Sequence, residues 1–309
     1  MKPLSRYLAL LLIFAGCESE SIIPVSLQGR FMYADLSNRR VMTFENGVDY
    51  KSYRIDSDLQ LDQLSWLNSE DTVIARTYGV SLKNMYNESI ECFLLNDSSL
   101  TRINKALYSA NRGNSIWSFS ASVGGTLLAL TEVGSDSCSI KVVSVKTGRQ
   151  DLAISYGSGY RLDISEWPWS HDASKFTYAV TATFPVEDRT ALGIFVYDIL
   201  LGKPNRIASE GFMSVWSNDS KYIAYATFDK VFIVNVLKQE TELIYESGWF
   251  ERISKIHWSP DGEYIRIHGW RKLPLLGYFG ETPTDKLINV KSGTSVEFEM
   301  LGGVSYSWR

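Results

Sequence analysis

Trp258-Ser259-Pro260-Asp261-Gly262-Glu263-Tyr264-Ile265-Arg266-Ile267 is the stretch on which the reading of the whole chain turns. Trp216-Ser217-Asn218-Asp219-Ser220-Lys221-Tyr222-Ile223-Ala224-Tyr225 repeats it without a gap, as does Trp169-Ser170-His171-Asp172-Ala173-Ser174-Lys175-Phe176-Thr177-Tyr178. A looser copy begins at Trp66, a degenerate one with a longer turn at Phe119-Ser120, and another at Ser307-Trp308, which stops at Arg309. The anchors at 66, 119, 169, 216, 258 and 308 stand 53, 50, 47, 42 and 50 residues apart. That period suits four short strands and their turns, the content of one propeller blade.

Each part of the motif has a local reason. The aromatic sits on one strand and fills the wedge between neighbouring blades. The Asp-Gly or Asp-Ser pair makes the turn, its carboxylate accepting backbone N–H groups while Gly262 tolerates positive φ. The run that follows alternates with period two, as a strand with two unlike faces does. A further strand is expected at Ile90–Leu95, Ile140–Val145, Ile194–Tyr197, Val231–Val236 and Lys286–Val290, then a more polar one such as Thr241–Tyr245 or Ser295–Glu299. Nothing in 29–309 keeps a helical period.

The ends complete the count. Phe31–Leu36, Arg40–Phe44 and Lys51–Ile55 read as three strands without a preceding aromatic motif, and the C-terminus supplies that motif strand with nothing after it. Joined, they form one blade. The expectation is an all-β, six-bladed propeller over 29–309, with four-stranded antiparallel blades and a ring closed by the C-terminal strand against the N-terminal ones, which removes exposed sheet edges. These repeats resemble those of TolB-like propellers, whose signature is Trp-Ser-Pro-Asp-Gly before an Ile-Ala-Phe-type strand. Trp258 to Gly262 matches in full, and Trp169 to Asp172 and Trp216 to Asp219 match except at the Pro place. The resemblance implies a fold and leaves the role open, because propellers serve many.

Residues 1–16 carry Lys2 and Arg6 and then an apolar stretch from Tyr7 to Gly16. Ten residues are too few to span a bilayer and suit the apolar region of a signal peptide. The segment ends Phe14-Ala15-Gly16-Cys17, which resembles the lipobox of bacterial lipoproteins, with Phe14 where Leu is commoner. The resemblance implies lipidation of Cys17, residues 17–28 as an acidic and polar tether, and a bacterial envelope address, on the outer membrane, periplasmic or surface-exposed. Removing 1–16 leaves 29 basic against 35 acidic residues, a charge of −6. No Lys/Arg run offsets it, so the chain is a poor match for anionic lipid, and nucleic acid is excluded as a partner. Cys92 and Cys138 fall in different repeats and read as two buried free thiols, although an exported compartment would permit a bond.

No catalytic constellation is legible. His171, His257 and His268 are scattered, with no metal-ligand spacing, and no metal or cofactor is expected. Gly157-Ser158-Gly159 lacks the spacing of a nucleophile elbow. Propeller lyases acting on oligogalacturonate resemble this fold but bind metal through several histidines. A hydrolase or lyase would have to use carboxylates such as Glu187, Asp188, Glu251 or Glu281, whose structural reading is solvated loop charge.

The expected partner-binding face is that of the longer connections, Thr77–Ser89, Thr181–Leu192 and Gly269–Asp285. The last is mostly apolar, aromatic, Gly or Pro and carries Trp270, Arg271, Tyr278 and Phe279. Trp249, Phe250 and Arg252, and the pair Tyr156 and Tyr160, lie on inter-blade segments of the same face. Aromatics and Arg are the residue types that anchor interfaces. The expected function is a non-enzymatic module for an envelope protein or peptide, or, on the same aromatic face, for a carbohydrate. Trp66, Trp169, Trp216, Trp258 and Trp308 are assigned to blade packing.

Overall fold

The computed structural model describes residues 30–35, 39–45, 49–55, 61–67, 71–80, 86–96, 99–103, 106–111, 113–183, 192–248, 251–275, 278–298 and 306–308. Every regular element among them is a β-strand. The expected signal segment, Cys17 and the expected tether lie outside the described residues.

Four sheets have four antiparallel strands each. The first comprises β9 (Ser115–Ala121), β10 (Leu127–Val133), β11 (Ser137–Ser144) and β12 (Gln150–Gly157). The second comprises β13 (Tyr160–Asp163), β14 (Lys175–Ala182), β15 (Gly193–Asp198) and β16 (Lys203–Ala208). The third holds β17 (Met213–Trp216), β18 (Tyr222–Ala226), β19 (Lys230–Asn235) and β20 (Glu240–Glu246). The fourth holds β21 (Glu251–Trp258), β22 (Tyr264–Leu275), β23 (Tyr278–Asn289) and β24 (Ser295–Phe298).

The rest forms one larger sheet. It contains β1 (Arg30–Asp35), β2 (Arg40–Glu45), β3 (Asp49–Arg54), β4 (Leu61–Trp66), β5 (Thr72–Val80), β6 (Tyr86–Asn96), β7 (Ser99–Arg102), the two-residue β8 (Tyr108–Ser109) and β25 (Tyr306–Trp308). Its order is β25-β1-β2-β3-β7-β6-β5-β4, with β8 beside β6. The C-terminal strand pairs with β1 through Phe31 and Trp308.

The motif turn is built alike in three copies. Ser170, Ser217 and Ser259 donate their hydroxyls to Asp172, Asp219 and Asp261 at 2.7, 2.7 and 2.5 Å. The same hydroxyl oxygens accept the N–H of Lys175, Tyr222 and Tyr264 at 2.9–3.0 Å. The carboxylates accept N–H groups of Ser174, Lys221 and Glu263 at 2.9–3.0 Å. Ala173, Ser220 and Gly262 take positive φ, so the hydrogen bonds hold a left-handed residue even where it is not Gly. Neighbouring turns also touch: Ser220 accepts the N–H of His171 at 2.7 Å, and Asn218 donates to the Pro260 carbonyl.

The core lies between sheets. One cluster joins Ile140 and Ala129 to Phe176 and Phe195 of the next sheet; another joins Val215 and Ile233 to Ile256 and Ile265. Sheets that pack face to face in sequence order are the arrangement of a propeller. Trp66, Trp169, Trp216 and Trp258 are all buried, as the packing assignment required. Cys92 and Cys138 are buried free thiols.

Two expected loops are corrected. Thr77–Ser89 and Gly269–Asp285 are extensions of hairpins: β5 and β6 stay in register to Val80 and Tyr86, and β22 and β23 to Leu275 and Tyr278. Pro274 and Pro283 each stand where their strand has a neighbour on one side only, since β21 pairs β22 no further than Arg271 and β24 pairs β23 only from Asp285, so each has one side on which a missing N–H breaks no ladder. Thr181–Leu192 falls largely outside the described residues.

Candidate functional site

A cavity of about 570 Å3 opens where the first strands of several sheets converge. Gln63 of β4, Arg161 and Asp163 of β13, Met213 of β17 and Arg252 to His257 of β21 line it, with Arg76, Phe228 and Trp270 at its margin. The volume lies within the range of ligand pockets. Along β21, Arg252 borders this cavity and Trp258 borders a smaller one of about 250 Å3 among the motif turns. The larger cavity therefore runs along β21 from Arg252 to His257, and the smaller one begins at Trp258, at the motif-turn end of the same strand.

The mouth is rich in cation–aromatic pairs. The Arg161 guanidinium lies 4.2 Å from the Trp117 ring centre, and Arg252 lies 6.0 Å from Phe228. Arg76 stacks at 5.7 Å on Tyr78. Trp117, Phe228 and Trp270 are 46, 65 and 41 % exposed, so the rim presents aromatic surface to solvent.

Below the rim the lining is charged. Glu166 accepts from Lys255 at 2.7 Å and stands 3.7 Å from the His257 ring. Its place comes from a break in the inner strand. β13 stops at Asp163, pairing resumes only at the single Trp169–Phe176 bridge, and Pro168 lies between. Ser120 pins the Glu166 carbonyl at 2.7 Å. Burial, then the Arg266 and Lys255 charges, holds the His257 ring well below its ordinary pKa, so the imidazole is neutral. Burial raises the Asp163 carboxyl, partly offset by its pair with Arg161 at 2.8 Å. Behind this layer Arg266 pairs with Asp285 at 2.7 Å, and Asp285 also meets His268 at 3.3 Å.

The residues expected on the binding face divide. Arg252 and Trp270 line the cavity. Arg271 is committed elsewhere, bridging Glu251 and Glu297 at 2.6 Å each, while Lys286 holds the other Glu251 oxygen at 2.6 Å. Burial raises the Glu251 carboxyl, but Lys286 and Arg271 outweigh it and keep it below its usual range. A carboxylate so neutralised is a poor acid or base. Tyr156 and Tyr160 pack on each other at 5.4 Å and on the core between the first two four-stranded sheets; they do not line the cavity. Trp249, Phe250, Glu187 and Asp188 lie outside the described residues, as do the side chains of Tyr278, Phe279 and Glu281. Sequence reasoning missed Glu166, Lys255, Arg161 and Arg76; Pro168 inside an expected strand was the one available signal. Among the described residues no group of three or more His, Cys, Asp or Glu is placed to hold a metal ion.

No family model matches the sequence, and no curated protein matches it. Solved structures do. TolB from Acinetobacter baumannii superposes with a TM-score of 0.61 at 14% identity, over 91% of this chain and 67% of that one. A structure described as a TolB from Agrobacterium tumefaciens gives 0.55 at 15%, over 89% and 90%. An oligogalacturonate lyase from Vibrio parahaemolyticus gives 0.52 at 12%, over 87% and 73%. The fold is that of a TolB-like β-propeller. At these identities the likeness extends to the fold alone, and the same fold carries a lyase.

Proposed function

We propose that the chain is a six-bladed propeller of the bacterial cell envelope, anchored by lipid on Cys17, that binds a protein or peptide partner at the mouth of the larger cavity. The observation that carries this reading is the rim itself: exposed Phe228 and Trp270 beside Arg252, and exposed Trp117 against the lining residue Arg161, over a cavity whose Asp163 and Glu166 pair with Arg161 and Lys255. Large aromatics and Arg around a recess are the groups that dominate binding energy in interfaces. Six blades follow if the larger sheet is two blades, β25-β1-β2-β3 and β4-β5-β6-β7, joined only through the parallel pair Arg54 and Ser99. The pairing of β25 with β1 supports closure of the ring. Trp249, Phe250, Tyr278 and Phe279 belong to the same proposed face by their place in the chain.

Co-purification from detergent-solubilised envelopes tests the reading. The wild-type chain should retain a defined partner that Arg252→Ala and Trp270→Ala lose and that Leu152→Ser, on the outer strand β12, keeps. Identical partner sets for all variants, or none for any, overturn it. A purified chain that instead binds a glycan through Trp270 would favour the carbohydrate reading. Cys17→Ser should move the chain from the membrane to the soluble fraction.

A further inference from the structure

The outer turns of the four four-stranded sheets are copies of one another. The N–H groups of Gly148, Gly202, Gln239 and Gly293 donate to the carbonyls of Ser144, Asp198, Asn235 and Asn289, at 2.8–2.9 Å. Each donor residue takes a φ between 57 and 68°. Asp198, Asn235 and Asn289 further accept the N–H groups of the third and fourth turn residues at 3.0–3.1 Å.

This geometry uses only main chain at the third and fourth positions. In two turns those positions are Lys146-Thr147 and Lys291-Ser292, the polar content of a solvated turn. In the two adjacent sheets between them they are Leu200-Leu201 and Leu237-Lys238. Leu200, Leu201 and Leu237 are 86, 65 and 88 % exposed, so nothing among the described residues covers them and no turn requirement placed them there. Lys203 and Lys238 flank them, so every one of the four turns carries a lysine in or beside it.

The chain enters the fold at the same end of its sheet. The first residue of the second strand pairs with the first residue of the outer turn in each sheet: Leu127 with Ser144, Lys175 with Asp198, Tyr222 with Asn235, Tyr264 with Asn289. Arg30, the first residue of β1, pairs in the same way with Glu45 at the end of β2. Twelve residues separate Cys17 from Arg30, a reach of at most about 45 Å when extended.

We propose that the turn face lies on the lipid bilayer, with Leu200, Leu201 and Leu237 seated in the interfacial region and the turn lysines beside them at the headgroups. The inference rests on the lipid anchor at Cys17. Acyl chains hold the protein at the surface, and a few apolar side chains with nearby cations then fix which face meets it. The rim of the larger cavity, at the Arg252 end of the inner strands, points away from the membrane.

The test uses the full mature chain, purified with its native N-terminus and reconstituted on vesicles of phosphatidylethanolamine and phosphatidylglycerol. An environment-sensitive fluorophore is placed at Leu200→Cys, Leu237→Cys or Phe228→Cys, the last on the cavity rim; Cys92 and Cys138 are buried. Spin-labelled lipid should quench the first two probes several-fold more than the third, and their emission should shift to the blue only with vesicles. Equal quenching at all three sites, or stronger quenching at 228, overturns the docking face. A blue shift that grows with protein concentration before lipid is added assigns the leucines to a second copy of the chain and overturns it too. The mass of the mature chain separates the two layers: an unacylated Cys17 overturns the anchor and the docking face together, and an acylated chain with aqueous probes overturns the docking face alone.

Discussion

The indole N–H of Trp258 donates to the main-chain carbonyl of Val215, one sheet away, at 3.2 Å. Trp169 does the same to Ser120 at 3.1 Å. At these two copies the motif Trp therefore does more than fill a wedge: it ties its own sheet to the inner strand of the sheet before it. Trp258→Phe keeps the buried ring and loses the bond, and should cost about 1 kcal/mol. Trp258→Ala should cost about 3–5 kcal/mol through the cavity it leaves. Urea unfolding of the purified chain measures both; equal stability of Trp258→Phe and wild type would remove the bond from the account.

Arg266 is fully buried and pairs with Asp285. Burial raises the Asp285 carboxyl, yet His268 and Arg266 more than offset this and keep it ionised. Asp285→Ala strands the guanidinium charge in the core and should cost about 3–5 kcal/mol. Arg266→Met with Asp285→Leu removes both charges and should recover most of that loss. A double-mutant cycle that shows no coupling would contradict the pairing.

His257 sets the response to mild acid. Its folded pKa lies well below the ordinary 6.5, so the unfolded chain takes up a proton first as pH falls. Stability should be full above about pH 6.5 and fall by about 1.4 kcal/mol per pH unit below it, until the folded ring protonates. Glu166, Lys255, Arg266, His268 and Asp285 surround the ring. Asp172, held at about 2 by its bonds to Ser170 and Ser174, adds a second loss only below about pH 4. His257→Gln should flatten the first decline and leave the second. An unchanged slope between pH 6.5 and 5 would be the contrary result.

The two buried thiols should be silent in the native protein. Burial pushes Cys92 up to about 11 and raises Cys138 as well, so the reactive thiolate is scarce at both. With Cys17 acylated or replaced by Ser, a thiol-specific dye should label neither residue in buffer and both in guanidinium. Rapid labelling of Cys92 in buffer would show that its sheet opens locally.

The repeats were legible because everything they encode is local. Ser259, Asp261 and Tyr264 satisfy one another within six residues, and any copy of that spacing folds the same way. The cavity was harder to read, because its contents depend on pairing between distant strands. Arg271 reads as an exposed anchor until Glu251 and Glu297, from strands on either side, are brought against it. Glu166 reads as part of an ordinary strand, and only the interruption ahead of Trp169 turns it inward. Gly269 to Leu275 reads as a loop because Gly and Pro obscure an alternation that the β23 register nevertheless continues. Leu200 and Leu237 gave no signal at all, since a turn motif tolerates almost any side chain at those positions.

The seating of β1 has a mechanical consequence. It is flanked on one side by β25 and on the other by β2, and the chain leading from Cys17 enters it end-on at Arg30. Tension applied at Arg30 along the strand axis loads the hydrogen bonds on both flanks in shear, so that they share the force. A strand pulled across its ladder would give way one bond at a time. The proposed anchor on Cys17, pulling along that axis, would load the terminal sheet in the direction in which it resists most.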